Sequence, residues 1–186
     1  MDKRISTILF AVMAVLFIVA CGDCKKKGNG QKSLATTEES KGDTTVYGVC
    51  GVNTAMHNLE LVTVQGDTLN YLFDVDDESA VKGGLLAGDR LAVVGYKNAD
   101  GEYEANQVLN LTTLMGKWRS IDKQFELMED GTVLSAVKEE AHPWTSWKAF
   151  NGQLLLNKDT FTVNALGADS LYLENAHGIF TFTRQK

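Results

Sequence analysis

The sequence has few of the residues on which catalytic, metal and disulfide sites depend. It contains three cysteines, three histidines and one proline in 186 residues. His57, His142 and His177 do not lie at ligand spacing from one another, from a cysteine or from an acidic pair, whereas a zinc site needs three or four convergent ligands. The Gly-x-Ser-x-Gly pattern of a nucleophile elbow is also absent. We therefore expect no catalytic residues, no metal and no cofactor, and we predict that the protein is not an enzyme.

Basic side chains are scarce in residues 44–111. The formal net charge of the protein is −6, and residues 44–111 carry 3 basic and 10 acidic side chains. Such a surface would repel nucleic-acid phosphates, so we expect no nucleic-acid partner. The acidic run within residues 74–78 lacks the spacing of a calcium-binding loop. It is more typical of a solvated turn.

Long apolar runs are limited to one segment at the N-terminus, residues 5–20. A membrane-spanning helix needs about 20 apolar residues, and this run is shorter than that. Lys3 and Arg4 precede it, and the small residue Ala20 ends it. A basic tip, an apolar centre and a small residue at the cut are the features of a secretory signal peptide. We therefore predict a signal peptide over residues 1–20, in preference to a transmembrane anchor or a buried core helix.

A cysteine stands directly after the predicted cut. The stretch Ile18-Val19-Ala20-Cys21 resembles the lipobox of bacterial lipoproteins. The resemblance implies that the Cys21 thiol carries fatty acyl chains such as palmitate, which hold the protein at a membrane. The residue after Cys21 is Gly22 and not aspartate, which in such lipoproteins favours the outer membrane. A basic segment follows, where surface-exported lipoproteins of Bacteroidetes carry acidic residues, so we expect a periplasm-facing protein.

The segment after the lipobox, residues 21–43, is dominated by Lys, Gly, Ser, Thr and Glu. It cannot bury enough apolar surface to order itself, which predicts a flexible tether. Cys24 lies in this tether and Cys50 opens a predicted strand. An oxidising envelope would permit a disulfide between them, and the sequence leaves that pairing open. We expect Cys50 to be a small, buried apolar residue.

The remaining chain alternates short apolar runs with glycine-containing turns at 8–12 residue intervals, which predicts an all-β protein built from antiparallel strands. In its first part, residues 59–64 and 68–73 flank a Gln-Gly-Asp turn and predict a hairpin. Residues 88–95 follow the pattern Gly-Asp-x-Leu-x-Val-x-Gly. Five strands with this pattern late in the order resemble an oligonucleotide/oligosaccharide-binding (OB) barrel. We predict a small OB-like barrel over residues 44–111.

The second part, residues 112–186, begins with Gly116-Lys117-Trp118. This triplet resembles the Gly-x-Trp motif of lipocalins, in which the tryptophan plugs the closed end of an eight-stranded barrel. Asp130-Gly131 and Asn151-Gly152 are strong hairpin signals, and seven further alternating runs follow the motif. We predict an eight-stranded lipocalin-like meander. This second part, together with the signal sequence, resembles Bacteroidetes lipoproteins with a short lipocalin-like C-terminal domain.

The interior of an eight-stranded barrel is either filled by side chains or holds one small ligand, and because the predicted strands are short we expect a filled interior. The residues predicted to line a ligand site are the aromatic ones Trp118, Phe125, Trp144, Trp147 and Phe161. We also expect Trp118 to be part of the hydrophobic core. Trp144 and Trp147 are three positions apart and would point to opposite faces of one strand, and we expect Trp144 to be the exposed one.

These observations together predict a membrane-anchored cell-envelope lipoprotein without catalytic activity. We expect it to bind a small apolar ligand or an envelope protein. The alternative that the sequence leaves open is a purely structural or interaction module with a filled barrel core.

Overall fold

The computed structural model describes residues 42–73, 80–136 and 142–186, which belong to one unit, Ser40–Lys186. The predicted signal peptide, Cys21, Cys24 and most of the tether lie outside the described residues. The acidic run within residues 74–78 does so too. Of the predicted tether, Gly42 and Asp43 are described. No helix in the described ranges has the length and apolar character that crossing a membrane requires.

The first sheet forms a closed five-stranded barrel with one additional short strand. Its strands are β1 (Val46–Cys50), β2 (Asn58–Thr63), β3 (Thr68–Leu72), β4 (Val81–Lys82), β5 (Arg90–Lys97) and β6 (Tyr103–Asn110). The order is β3-β2-β1-β5-β6-β4, and a parallel pairing of β3 with β6, at Tyr71 and Tyr103, closes the ring. The prediction of an OB-like five-stranded barrel is confirmed.

The core of this barrel consists of residues that alternate along the strands, as expected when one face of each strand is buried. They are Cys50, Leu59, Leu61, Tyr71, Leu91, Val93 and Val108. The Cys50 side chain is 2% exposed, and its Sγ lies 3.3 Å from the hydroxyl of Thr54. The prediction that Cys50 is a small buried residue is confirmed.

Gly95 ends the Gly-Asp-x-Leu-x-Val-x-Gly pattern at a place where β5 shifts register against β6. A Cβ atom at this position would lie 2.3 Å from the carbonyl oxygen of Glu104 and 2.9 Å from the Tyr71 ring. Only glycine fits between them. A glycine at a register shift lets the strand bend around a small barrel, which gives this part of the pattern a physical reason.

The second sheet is an eight-stranded antiparallel meander. A four-residue helix, α1 (Leu111–Leu114), connects it to the first barrel, and its strands are β7 (Gly116–Arg119), β8 (Gln124–Leu127), β9 (Val133–Ser135), β10 (Trp147–Phe150), β11 (Gln153–Leu156), β12 (Asp159–Leu166), β13 (Ser170–Asn175) and β14 (Gly178–Arg184). The last strand pairs with the first, β14 with β7. Between β9 and β10 an isolated bridge joins Thr132 to Ser146. The barrel is therefore nearly closed, and the prediction of an eight-stranded antiparallel meander is confirmed.

The two predicted hairpin signals lie at turns of this barrel. At the β10–β11 turn, Asn151 and Gly152 have φ angles of 48° and 79°, the left-handed pair that a type I′ turn requires. At the β8–β9 turn, Gly131 has a φ of 83°, and the Asp130 carboxylate accepts a hydrogen bond of 2.9 Å from the Thr132 amide. Both hairpins form where the sequence predicts them.

The two barrels pack against each other through apolar side chains. Ala92, Leu109, Leu111 and Leu114 belong to the first barrel and its connecting helix, yet they are buried in the same cluster as the interior of the second barrel. Strand β5 buries Leu91, Ala92 and Val93 in succession, so both faces of this strand are covered. One face packs into the interior of the first barrel, and the other face packs against the second barrel.

Candidate functional site

Aromatic side chains fill the interior of the second barrel. Phe125 packs edge-to-face against Trp144 and Phe182, with ring centroids 5.1 Å apart in both cases. Trp144 packs in the same way against Phe161, at 5.6 Å. Trp118, Phe125, Trp144 and Phe161 are each at most 7% exposed. These four of the five residues predicted to bind a ligand therefore pack together in the core.

The prediction that Trp144 is exposed at the rim is wrong, because its side chain is only 7% exposed. Trp144 precedes β10, which begins at Trp147, so the alternation of a strand does not apply between the two tryptophans. The Trp144 indole enters the barrel, and the Lys123 ammonium lies 4.3 Å from its ring centroid. Trp147 is the partly exposed tryptophan of the pair.

Trp118 is fully buried, as the sequence predicts. Its indole nitrogen donates a hydrogen bond of 2.7 Å to the Leu114 carbonyl. The guanidinium of Arg184 lies over its ring and donates to the carbonyl oxygens of Met115, Thr113 and Ala168. Burial lowers the pKa of Arg184, and the nearby Asp169 carboxylate partly offsets that effect. The Gly-x-Trp strand, helix α1 and the last strand are joined by these contacts.

A cleft of about 390 Å³ lies between the two barrels. Its apolar walls come from Tyr47 on β1, Leu111 on α1, Met115 after α1, and Trp147 and Ala149 on β10. Arg90, Glu129, Asp130, Gly131 and Lys148 complete the lining. Small-ligand sites are commonly found between domains and at barrel mouths, with volumes of about 300–1,000 Å³. The cleft therefore has the size and composition of a site for one small molecule.

Hydrogen bonds hold the two aromatic walls of the inter-barrel cleft. The Trp147 indole nitrogen donates to the Met128 carbonyl at 2.7 Å, and the Tyr47 hydroxyl donates to the Ala149 carbonyl at 2.6 Å. Burial raises the pKa of the Tyr47 phenol, with a further contribution from the Asp43 carboxylate. Tyr47 therefore stays protonated at neutral pH. The two rings are oriented before any ligand arrives.

Two ion pairs connect the barrels beside the inter-barrel cleft. The Arg90 guanidinium pairs with Glu129, and the Lys148 ammonium pairs with Asp43. The hydrogen bond to Asp43 raises the pKa of Lys148. Burial alone would raise the pKa of Asp43, but hydrogen bonds from Lys148 and Thr45 outweigh it and the pKa is lowered. The pair of Lys148 and Asp43 is therefore charged at neutral pH.

A second, larger depression lies on the outer face of the second barrel. It has a volume of about 850 Å³ and is lined by β13, β14 and the turn after β7. Ile121 is fully exposed there, Ile179 is 64% exposed and Tyr172 is 40% exposed. We call this surface the outer groove. It presents apolar side chains to solvent without enclosing them.

Among the residues predicted to bind a ligand, Trp147 alone lines the inter-barrel cleft. The sequence analysis missed Tyr47, Leu111 and Met115, since each was assigned to one barrel considered by itself. A signal for the contact was present in the sequence: Leu91–Val94 is a run of four apolar residues with no polar residue between them. Such runs indicate burial on both faces of a strand.

Comparison of the chain with family models, with curated proteins and with solved structures found no match. Within the described residues, no group of three or more His, Cys, Asp and Glu side chains is placed to hold a metal ion.

Proposed function

We propose that this protein is a non-catalytic cell-envelope lipoprotein that binds a small apolar ligand in the cleft between its two barrels. In this proposal, Cys21 carries the acyl chains, residues 21–43 form the tether, and the outer membrane is the site of anchorage. Two or more acyl chains hold a protein stably at a bilayer. The basic tip, the apolar run and the Ile-Val-Ala-Cys stretch support this part of the proposal.

The observation that carries the ligand-binding part is the inter-barrel cleft itself. Its walls combine Trp147, Tyr47, Leu111 and Met115 from both barrels, and its volume is about 390 Å³. The interior of the second barrel is occupied by aromatic rings in contact with one another. A small ligand would therefore bind between the barrels, where apolar walls and a few polar groups converge.

A titration with N-phenyl-1-naphthylamine, a neutral fluorescent apolar probe, tests the ligand-binding part. We expect saturable binding with one site per chain. Met115→Trp should fill the cleft and weaken binding at least tenfold, and Trp147→Ala should weaken it by removing an aromatic wall. Ile121→Ala, in the outer groove, is the matched control and should bind as the unaltered protein does. Absence of saturable binding would contradict the proposal, and so would loss of binding in the Ile121 variant alone.

A separate experiment tests the anchor. We expect the protein expressed with its first 20 residues in a bacterium to partition into the detergent phase and to carry acyl chains on Cys21 by mass spectrometry. Cys21→Ser should remain unacylated and partition into the aqueous phase. An unacylated wild-type protein that keeps residues 1–20 would overturn this part.

The second candidate function is an interaction module with a filled barrel core. The contacts among Phe125, Trp144 and Phe161, together with the exposed Ile121 and Ile179, favour it. In this alternative a second copy of the chain covers the outer groove. Sedimentation at high micromolar concentration would then detect a dimer that Ile121→Asp dissociates, and a protein that stays monomeric would exclude the alternative.

A further inference from the structure

We propose that the inter-barrel cleft selects small zwitterions that carry an apolar group, the chemical class of the apolar amino acids. The inference rests on the proposed function, because it names the ligand class of the same cleft. Three properties of the cleft support it: its size, the presence of charges of both signs in its lining and the position of its apolar walls.

The size of the cleft limits the ligand. Its volume of about 390 Å³ corresponds to about a dozen water molecules at about 30 Å³ each. This is near the lower end of the range for small-molecule sites. One aromatic ring with a short polar end fits inside a cleft of this volume.

The lining carries charges of both signs. Arg90 and Lys148 are the cations, and Glu129 and Asp130 are the anions, but Lys148 is already paired with Asp43. Arg90 comes from the first barrel, and Glu129 and Asp130 come from the β8–β9 turn of the second. A positive and a negative group therefore face the same cleft from opposite barrels. A ligand with one charge would meet a like charge as well as an opposite one, but a zwitterion can pair with both.

The ion pair between Arg90 and Glu129 is weak enough for a ligand to replace one of its partners. The two side chains are 44% and 75% exposed, and an exposed ion pair contributes little to stability. A guanidinium binds a carboxylate through two parallel hydrogen bonds. The ligand carboxylate would therefore replace Glu129 on Arg90, and the ligand ammonium would pair with the released Glu129 and with Asp130.

The apolar walls lie next to these charges. Trp147 is oriented by its hydrogen bond to Met128, and Leu111 and Met115 belong to the same lining. An aromatic ring packed against an indole favours an offset or edge-to-face arrangement, which adds to the free energy gained from the buried apolar area. The apolar group of the ligand would contact Trp147 while its charged end reaches Arg90.

A matched series of four ligands tests the inference by isothermal titration calorimetry. The series is L-phenylalanine, the cation phenethylamine, the anion 3-phenylpropionate and the neutral 3-phenyl-1-propanol, which share a ring and differ in charge. We expect L-phenylalanine to bind at least tenfold more tightly than each of the others, a difference of about 1.4 kcal/mol. Equal binding of all four would overturn the charge selection and leave the proposed function intact.

Variants of the two charged partners sharpen the test. Arg90→Gln should reduce the affinity for L-phenylalanine to that for phenethylamine, and Glu129→Gln should reduce it to that for 3-phenylpropionate. Lys117→Gln removes an exposed cation from β7, outside the cleft lining, and should change nothing. Near-UV circular dichroism checks that each variant is folded; because Glu129 is largely exposed, its variant keeps the test valid if the Arg90 variant unfolds.

The outcomes distinguish this inference from the proposed function. If the neutral naphthylamine probe binds and none of the four phenyl compounds does, the cleft binds ligands but the zwitterion assignment is wrong. If neither the probe nor the series binds, both are wrong. An unchanged preference for L-phenylalanine in both the Arg90 and Glu129 variants would also overturn the inference.

Discussion

The guanidinium carbon of Arg184 lies 4.2 Å from the centroid of the Trp118 ring. Arg184 is near the end of the chain, and Trp118 begins the second barrel. The same guanidinium donates hydrogen bonds to the Met115 carbonyl, at 2.8 Å, and to the Thr113 carbonyl. One side chain thus connects β14, β7 and the helix between the barrels.

Replacing Arg184 should destabilise the protein more than any other surface substitution in β14. Hydrogen bonds from charged groups contribute about 1.5–3 kcal/mol, so we expect Arg184→Ala to lower the free energy of unfolding by about 3 kcal/mol in urea denaturation. Arg184→Lys should recover only part of this, because an ammonium cannot reproduce the planar set of donors. Thr181→Ala, on the exposed face of the same strand, is the control. Equal stability of the Lys variant and the wild type would contradict this role.

Trp144 should behave as a core residue. Removal of a buried tryptophan side chain typically costs about 3–5 kcal/mol, and we expect this loss for Trp144→Ala in the free energy of unfolding. Tyr172→Ala removes an aromatic ring from the outer face, where it is 40% exposed, and should cost much less. Comparable losses for the two variants would mean that the interior tolerates the cavity by rearranging.

The hydrogen bond between Tyr47 and Ala149 predicts a pH dependence. Burial raises the pKa of Tyr47 in the folded protein, so its contribution to stability is complete below the unfolded value, near 10. That contribution decreases as the pH rises through the folded pKa, because the unfolded chain then loses the proton more readily. Tyr47→Phe should cost about 1 kcal/mol at neutral pH, and the difference between variant and wild type should shrink above about pH 10. A difference in unfolding free energy that is constant from pH 7 to 11 would contradict this.

Asn151 joins the start of the described chain to the β10–β11 turn. Its side-chain oxygen accepts hydrogen bonds of 2.8 Å from both the amide and the hydroxyl of Thr44, and its φ is 48°. Asn151→Gly keeps the backbone conformation but loses these bonds, whereas Asn151→Ala also places an unfavourable residue in the left-handed region, at about 1–2 kcal/mol. We expect the alanine variant to be the less stable of the two by about that amount.

Hydrogen exchange provides a second measurement for Asn151. The Thr44 amide should exchange faster in both variants, because both lose its acceptor. The exchange rates of amides inside the first barrel, such as that of Leu61, should change only as far as the global stability changes. Unchanged protection of Thr44 in the glycine variant would indicate that another group holds this segment.

Local sequence patterns were sufficient to predict most strands. Alternation placed Leu154, Leu156, Phe161 and Val163 on buried faces, and the turn pair Asn151-Gly152 set the register of β10 against β11. These features act between neighbours in the chain, through side-chain direction and left-handed backbone conformations.

Two features of the fold could not be predicted from local sequence patterns. The parallel pairing of Tyr71 with Tyr103 joins segments that are far apart in the sequence, and no turn chemistry specifies it. The position of Trp144 depends on the space between Phe125, Phe161 and Phe182, which exists only once the barrel has closed. The inter-barrel cleft belongs to the same class, since it is formed by two barrels that the sequence patterns describe one at a time.

The buried cluster that contains Ala92, Leu109 and Leu114 has a consequence for dissecting this protein. A fragment that ends at residue 111 would expose this apolar face to water. A fragment that starts at residue 112 would expose the apolar side chains of the second barrel that pack against it. Neither half is therefore a transferable module. Inheritance or engineering of one barrel has to carry the other with it, or else replace these side chains with polar ones.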